Sequence, residues 1–279
     1  MVNKIIINSV FELSIANGYF LKAVKNIGYS TKYSISDILS KHGVKIGNSL
    51  FKNKAFSIDL TILGASPEDL LAKRAALYKY LTVDNYQEND KITFEFVLAN
   101  NQSLILSGVL KDLSDDIDSE ILVASPVNFV IETEYPFLTS KQQYLVSIPI
   151  TKGGGGGVPM SIPFNMSIGT QFYTSLSNGG NVFAYPIYKF YGALTNPVIL
   201  DTLLNKSMSL TATLNSNSIY TVDTYDRTVI DEAGNNKLDK ISGDFLILRP
   251  DENRFKLSTD NVGDTGHVDV IYSYHYVSI

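Results

Sequence analysis

The chain contains no cysteine, which excludes disulfide scaffolds, thiolate zinc sites and thiol nucleophiles. It contains no tryptophan and only three histidines, His42, His267 and His275, too scattered for a helical two-histidine metal pair. No Gly-x-Ser-x-Gly elbow is present to expose a serine nucleophile. Positive charge is not in excess: 23 basic against 28 acidic residues give a net charge of −5, which argues against a surface dedicated to nucleic-acid phosphates. No stretch approaches about 20 uninterrupted apolar residues, so no helical membrane insertion is expected. The start, Met1 to Asn8, lacks the apolar run of a secretory signal, and synthesis in a cytoplasm is expected.

What is present describes a folded, β-rich protein. Hydrophobic residues make up 44% of the chain and charged residues 18%, enough apolar material for real cores. A length of 279 residues suits two domains. Tyrosine (17) and phenylalanine (14) without tryptophan suit strands and extended contact surfaces. The clearest break is Gly153 to Gly157, a run with no side chains to pack and a large entropy cost on ordering. A phosphate-cradling loop would follow such glycines with Lys-Ser or Lys-Thr, whereas Val158-Pro159 follows here. The expected division is therefore 1–138 as a first domain, 139–160 as a Gly-rich linker and 161–279 as a second domain.

One helix is well signalled. Ser66 supplies an N-cap hydroxyl, Pro67 the first helical position, and Glu68 and Asp69 first-turn acids that suit the helix dipole. Leu70, Leu71, Arg74, Leu77, Tyr78 and Leu81 follow at spacings of three and four, ending near Thr82. Elsewhere the period is two: Phe56, Ile58, Leu60 and Ile62; Ile92, Phe94, Phe96 and Leu98; Val268, Val270, Tyr272, Tyr274 and Tyr276. Asn100-Asn101 predicts a hairpin turn. A solvated turn is expected between strands ending at Leu110 and beginning at Ile121. The second half reads as short strands and turns, the pattern of a sandwich.

Charge is segregated. Residues 1–54 hold eight lysines against Glu12 and Asp37, whereas 112–134 hold seven acids and no base. One reading is two solvated faces. The other is a ring in which one subunit's basic segment meets the next subunit's acidic segment. The interface candidates are Lys32, Tyr33, Lys41, Lys45, Phe51, Lys52 and Lys54 on one side and Asp115, Asp116, Asp118 and Glu120 on the other, with residues 30–54 as a hairpin embracing the neighbour. The acidic run fails as a calcium loop: counted from Asp116, the sixth and twelfth positions are Ile121 and Val127 rather than Gly and Glu. Asp223, Asp226, Asp231 and Glu232 could supply paired carboxylates for a glycosidase if one cleft gathered them. Tyr272, Tyr274 and Tyr276 could form a sugar-stacking platform or could be ordinary sheet packing. No catalytic, cofactor-binding or metal-binding residue is nominated.

Taken as an ordered series, these features resemble the distal tail (Dit) family of siphophages in its two-domain form. In the first half the resemblance rests on Gly43 to Gly47, the strand Phe56 to Leu63, the capped helix from Ser66, the hairpin at Asn100 and the closing Glu134-Tyr135-Pro136. In the second it rests on Ile162-Pro163-Phe164, Asn178-Gly179-Gly180, Ala184 to Ile187, Gly192, Asn196-Pro197, Tyr220 to Thr224, the Gly234-Asn235-Asn236 turn, Phe245 to Pro250, Asn253 and the aromatic last strand. Departures are Asp251, where the family usually has glycine, Lys54, where arginine is common, and a longer glycine run.

The resemblance implies a mainly β fold with one main helix. The amino-terminal domain would be sandwich-like with a helix and long hairpin, the carboxy-terminal domain a galectin-like β-sandwich. It further implies a non-enzymatic virion component of the tail tip, without cofactor, made in the host bacterial cytoplasm. Its expected partners are copies of itself in a hexameric ring, the tail tube protein, the tail-associated hub or lysin protein, and receptor-binding proteins. The alternative is a carbohydrate-binding adsorption module acting on host cell-surface glycans.

Overall fold

The computed structural model describes residues 2–27, 31–37, 44–51, 54–82, 91–115, 123–133, 135–151 and 173–278, with the backbone alone considered between 26 and 51. Its chain separates into two compact units: Met1–Lys141 with Tyr276–Ile279, and Gln142–His275. The protein is mainly β, as expected.

The first unit contains β1 (Val2–Ile7), β2 (Phe11–Leu13), β3 (Tyr19–Ile27), β4 (Thr31–Asp37), β5 (Val44–Phe51) and β6 (Lys54–Leu63), then α1 (Pro67–Leu81), β7 (Ile92–Leu98), β8 (Ser103–Asp115) and β9 (Ala124–Thr133). Neighbouring strands run antiparallel in the order β2-β1-β7-β8-β9-β6-β3. The period-two residues do what their spacing predicts: Phe56, Ile58, Leu60 and Ile62 of β6 are buried against Phe94 and Phe96 of β7 and Phe129 of β9. Each such ring removed from water contributes about 1.5–3 kcal/mol.

The helix adds Leu70, Leu77 and Leu81 to this core. Its start is built as the sequence indicates. The Ser66 Oγ accepts from the Asp69 amide at 3.3 Å, and the Asp69 carboxylate accepts from the Ala65 amide at 2.7 Å and the Lys73 ammonium at 2.8 Å. The hairpin at Asn100 is also present, with Asn101 at φ 62 and its amide donating to the Leu98 carbonyl. One expectation needs correction: β8 does not end at Leu110. A register shift between Leu110 and Asp112 lets the strand continue against β9 to Asp115, so Asp112 and Asp115 lie on a strand rather than in a turn. Bulges of this kind absorb an extra residue without ending the pairing.

β10 (Leu138–Pro149) begins in the first unit and continues into the second, so the residues expected to open a linker at 139 are strand. The glycine run lies outside the described residues.

The second unit continues with β11 (Thr174–Asn178), β12 (Ile187–Tyr191), β13 (Leu194–Thr195), β14 (Val198–Asp201), β15 (Lys206–Leu210) and β16 (Thr213–Leu214). It is completed by β17 (Ile219–Asp223), β18 (Thr228–Asp231), β19 (Ile241–Gly243), β20 (Asp251–Ser258) and β21 (His267–Tyr276). One sheet has the order β18-β17-β12-β21-β10 and the other β11-β20-β14-β15-β19. Tyr188, Phe190, Val222, Val268 and Val270 from the first sheet share one core with Leu176, Ile199, Met208, Phe255 and Leu257 from the second, which makes the unit a sandwich.

Two fully buried asparagines fix its turns. Asn178 donates to the carbonyls of Val182 (2.9 Å) and Leu248 (3.3 Å) and accepts from the Gly180 amide (3.0 Å). The tight neighbour is glycine because a Cβ on Gly180 would lie 2.4 Å from the His275 carbonyl oxygen. Asn253 accepts from the Arg249 amide and donates to the Arg249 carbonyl, both at 2.9 Å, and to the Asp251 carbonyl at 3.2 Å.

Within that turn Asp251 has φ 71, the left-handed region that glycine occupies freely and an L side chain only at a cost. Asp251→Gly is expected to stabilise the second unit by about 0.5–1 kcal/mol. Urea denaturation would read this as a higher midpoint at unchanged slope; a lower midpoint would show that the aspartate side chain contributes more than its backbone costs.

Candidate functional site

β4 and β5 form an antiparallel ribbon, from Thr31 opposite Phe51 to Asp37 opposite Val44, with a register irregularity between Tyr33 and Ile35. Among the described residues, their strands pair only with each other. This places the backbone of Lys32, Tyr33, Lys45 and Phe51 on one ribbon. Lys41, Lys52, Asp116, Asp118 and Glu120 lie outside the described residues, as does His42.

The two remaining interface candidates have partners in their own chain. Asp115 accepts from the Arg74 guanidinium and the Tyr78 hydroxyl, and Arg74 Nε donates to Tyr78 Oη at 3.0 Å. Burial, and then the Asp115 carboxylate, raise the Tyr78 hydroxyl above its ordinary pKa. Lys54 is 2% exposed; its ammonium donates to the Val277 carbonyl and sits 4.9 Å from the centre of the Phe56 ring. Other lysines of the basic segment are also paired within the chain, Lys4 with Glu12 at 2.7 Å and Lys25 with Asp59 at 2.6 Å. Those bonds hold both carboxyls below their usual range.

Burial pushes the Lys54 ammonium down to about 8. Its folded pKa is depressed, so between about pH 8 and the unfolded value the unfolded chain binds more protons and stability rises with pH. Tyr19, which burial pushes up to about 12, acts in the opposite direction, but only above about pH 10. We expect the first unit to gain about 1–2 kcal/mol between pH 7.5 and 9.5. Denaturant titration of the wild type and Lys54→Met at both pH values checks this, since the gain should vanish in the variant.

The tyrosines of β21 do not present one stacking face. Tyr272 is buried, and its hydroxyl donates to the Ser177 carbonyl at 3.0 Å. Tyr274 is half-buried and stacks on Tyr144, ring centres 4.1 Å apart. Tyr276 belongs to the first unit, where its hydroxyl accepts from the Gln102 side-chain amide at 3.0 Å. The residues are used as sheet and core packing, because inward positions on a period-two strand face the opposite layer.

The carboxylates of the second half are likewise occupied by turns. Asp223 accepts from the amides of Tyr225 (2.8 Å) and Asp226 (3.1 Å), and Asp231 from those of Ala233 (3.0 Å) and Asn235 (2.8 Å). Among the described residues, no three His, Asp or Glu side chains gather as metal ligands, and no helix is long and apolar enough to cross a membrane. His275 Nδ1 lies 3.1 Å from the Phe183 carbonyl oxygen, and burial lowers the imidazole pKa. His267 stacks on Tyr191 with ring centres 5.3 Å apart.

Among the described residues, the first unit is thus a β unit with one main helix and a ribbon whose strands pair only with each other, and the second is a β-sandwich. The chain has the fold of the SPP1 Dit protein, described as a paradigm of the hub adsorption apparatus in phages that infect Gram-positive bacteria. The match has a TM-score of 0.66 at 13% identity and covers 98% of both chains. A chain of the phage P2 baseplate in its activated conformation with calcium aligns at a TM-score of 0.42 and 12% identity, over 97% of this chain and 98% of that one. No family model and no curated protein sequence matches the chain.

Proposed function

We propose that this chain is a structural subunit of a siphophage tail tip, a distal tail protein that assembles into a six-fold ring. The observation that supports this reading is the likeness to SPP1 Dit across 98% of both chains, at a level where fold survives and sequence does not. Fold alone does not transfer function. Two features of this chain favour assembly beyond the likeness. The β4–β5 ribbon pairs with no further described strand, and isolated two-stranded hairpins are marginal in water. The sequence also separates a lysine-rich segment from an acid-rich one, a pattern that suits complementary neighbours in a ring, although Lys4, Lys25, Lys54 and Asp115 are partnered within their own chain.

In this reading the first unit forms the ring that joins the tail tube to the tail-associated hub or lysin protein. The second unit, a galectin-like sandwich, offers a surface to receptor-binding proteins. The protein acts by holding other proteins, without catalysis or a cofactor, as part of the virion. The test is its mass in solution by light scattering over a concentration series, with negative-stain images of the same fraction. A ring of six with a central opening is the expected result. A chain that stays monomeric to its solubility limit would overturn the self-assembling ring.

A further inference from the structure

The second unit has a cleft of about 720 Å³ at the end of the sandwich where the β14–β15 turn, the β17–β18 turn and the segment leading to β20 meet. That volume lies in the range of small-ligand sites. Its surface combines exposed aromatic faces with cations. Phe183 is 46% exposed and Tyr225 56%, and Tyr225 meets Tyr185 edge-on with ring centres 5.4 Å apart. Such rings can pack against the apolar face of a pyranose.

The charges in the cleft are not balanced. Lys206 pairs with Asp244 at 3.6 Å, and the other lining carboxylate, Asp201, accepts from the amides of Leu203 (2.9 Å) and Leu204 (3.1 Å). Arg227 and Arg249 remain, and among the described residues neither has a carboxylate partner. The Arg249 Nε is buried without a hydrogen-bond partner, so the guanidinium is not fully satisfied within the described chain. Its backbone is held on both sides by the buried Asn253, and the preceding Leu248 is bridged to Ala184. Arg227 has φ 54, in a turn position where glycine or asparagine would be unstrained.

We propose that this cleft binds an anionic saccharide, one or two pyranose units carrying a carboxylate or phosphate. The sugar rings lie on Tyr225 and Phe183, and the anion is taken by Arg249 and Arg227. Guanidinium groups suit both anions, because their donors match two oxygens at once. The cleft lies within the second unit, so this inference does not rest on ring formation.

The test is calorimetric titration of the full chain with pyranose oligosaccharides bearing uronate or sugar phosphate, their neutral counterparts, inorganic phosphate and a hexaglutamate peptide. At least one charged sugar should bind about tenfold or more tightly than its neutral counterpart. Preference for uronate or for phosphate identifies the source of the anion. Arg249→Gln and Tyr225→Ala, each with an unchanged thermal transition, should weaken that binding by about tenfold. The proposal is overturned if no sugar binds, if neutral sugars bind as tightly, if inorganic phosphate matches the sugar phosphate, or if the acidic peptide is preferred. It is also overturned if both variants bind like the wild type.

Discussion

Replacing residues 31–51 with a short Gly-Ser connection is expected to reduce the proposed ring to monomers while leaving the thermal transition of the second unit in place. The argument is structural. β4 and β5 complete their hydrogen bonds only with each other among the described residues, and a ribbon with two free edges is a template for pairing with another chain. In the proposed ring, removal of the ribbon takes away backbone pairing that this chain itself leaves open among the described residues. If the lysine-rich segment meets the acid-rich segment of a neighbour, as proposed, assembly should weaken at high salt. Asp115 and Lys54 are satisfied within their own chain, so substituting those two tests folding rather than assembly. Light scattering of the deletion variant decides the matter: an intact ring would remove the ribbon from the interface.

Asn253→Ala should be the most damaging single substitution in the second unit, at about 3–5 kcal/mol. The side chain is fully buried and makes three hydrogen bonds, all to the backbone of the turn that precedes β20. Truncation leaves an amide and two carbonyls without their partner, and each buried orphan costs about 1–3 kcal/mol. The left-handed Asp251 loses the clamp that holds it there. For a unit of this size the expected fall in the second calorimetric transition is on the order of 10 °C or more, with the first transition unmoved. A fall of only a degree or two would mean that water replaces the amide, and that the turn is held by the Leu248–Ala184 bridge instead. The same variant should also weaken the proposed saccharide site, because Asn253 fixes the backbone of Arg249.

Much of the first unit can be read directly from the chain. The period-two residues at 56–62 and 92–98 and the capped stripe from Ser66 appear as β6, β7 and α1 because those signals are local. Where reading failed, a distant partner decided. Leu110 looks like a strand end because Asp112, Asp115 and Asp116 follow it, yet β9 supplies a ladder that continues through a bulge to Asp115. Lys54 looks like one more surface lysine, but β6 carries it inside the first unit, where a carbonyl from the far end of the chain receives it. The tyrosines of β21 give the same alternation whether they face a ligand or a second sheet, and only the position of Tyr144 and Ser177 distinguishes the two.

The sequence by itself determined a β-rich chain, the place and ends of its helix, the hairpin at Asn100, and the lack of thiol chemistry. These are matters of composition and of periods of 2 and 3.6 residues, which act over a few positions. Only the tertiary structure decided that Arg74 and Asp115, 41 residues apart, form a pair, that Asn253 clamps a turn, and that Arg227 and Arg249 line one cleft. Those arrangements depend on which strands become neighbours, and strand pairing is set by the burial of whole faces rather than by any one stretch of sequence.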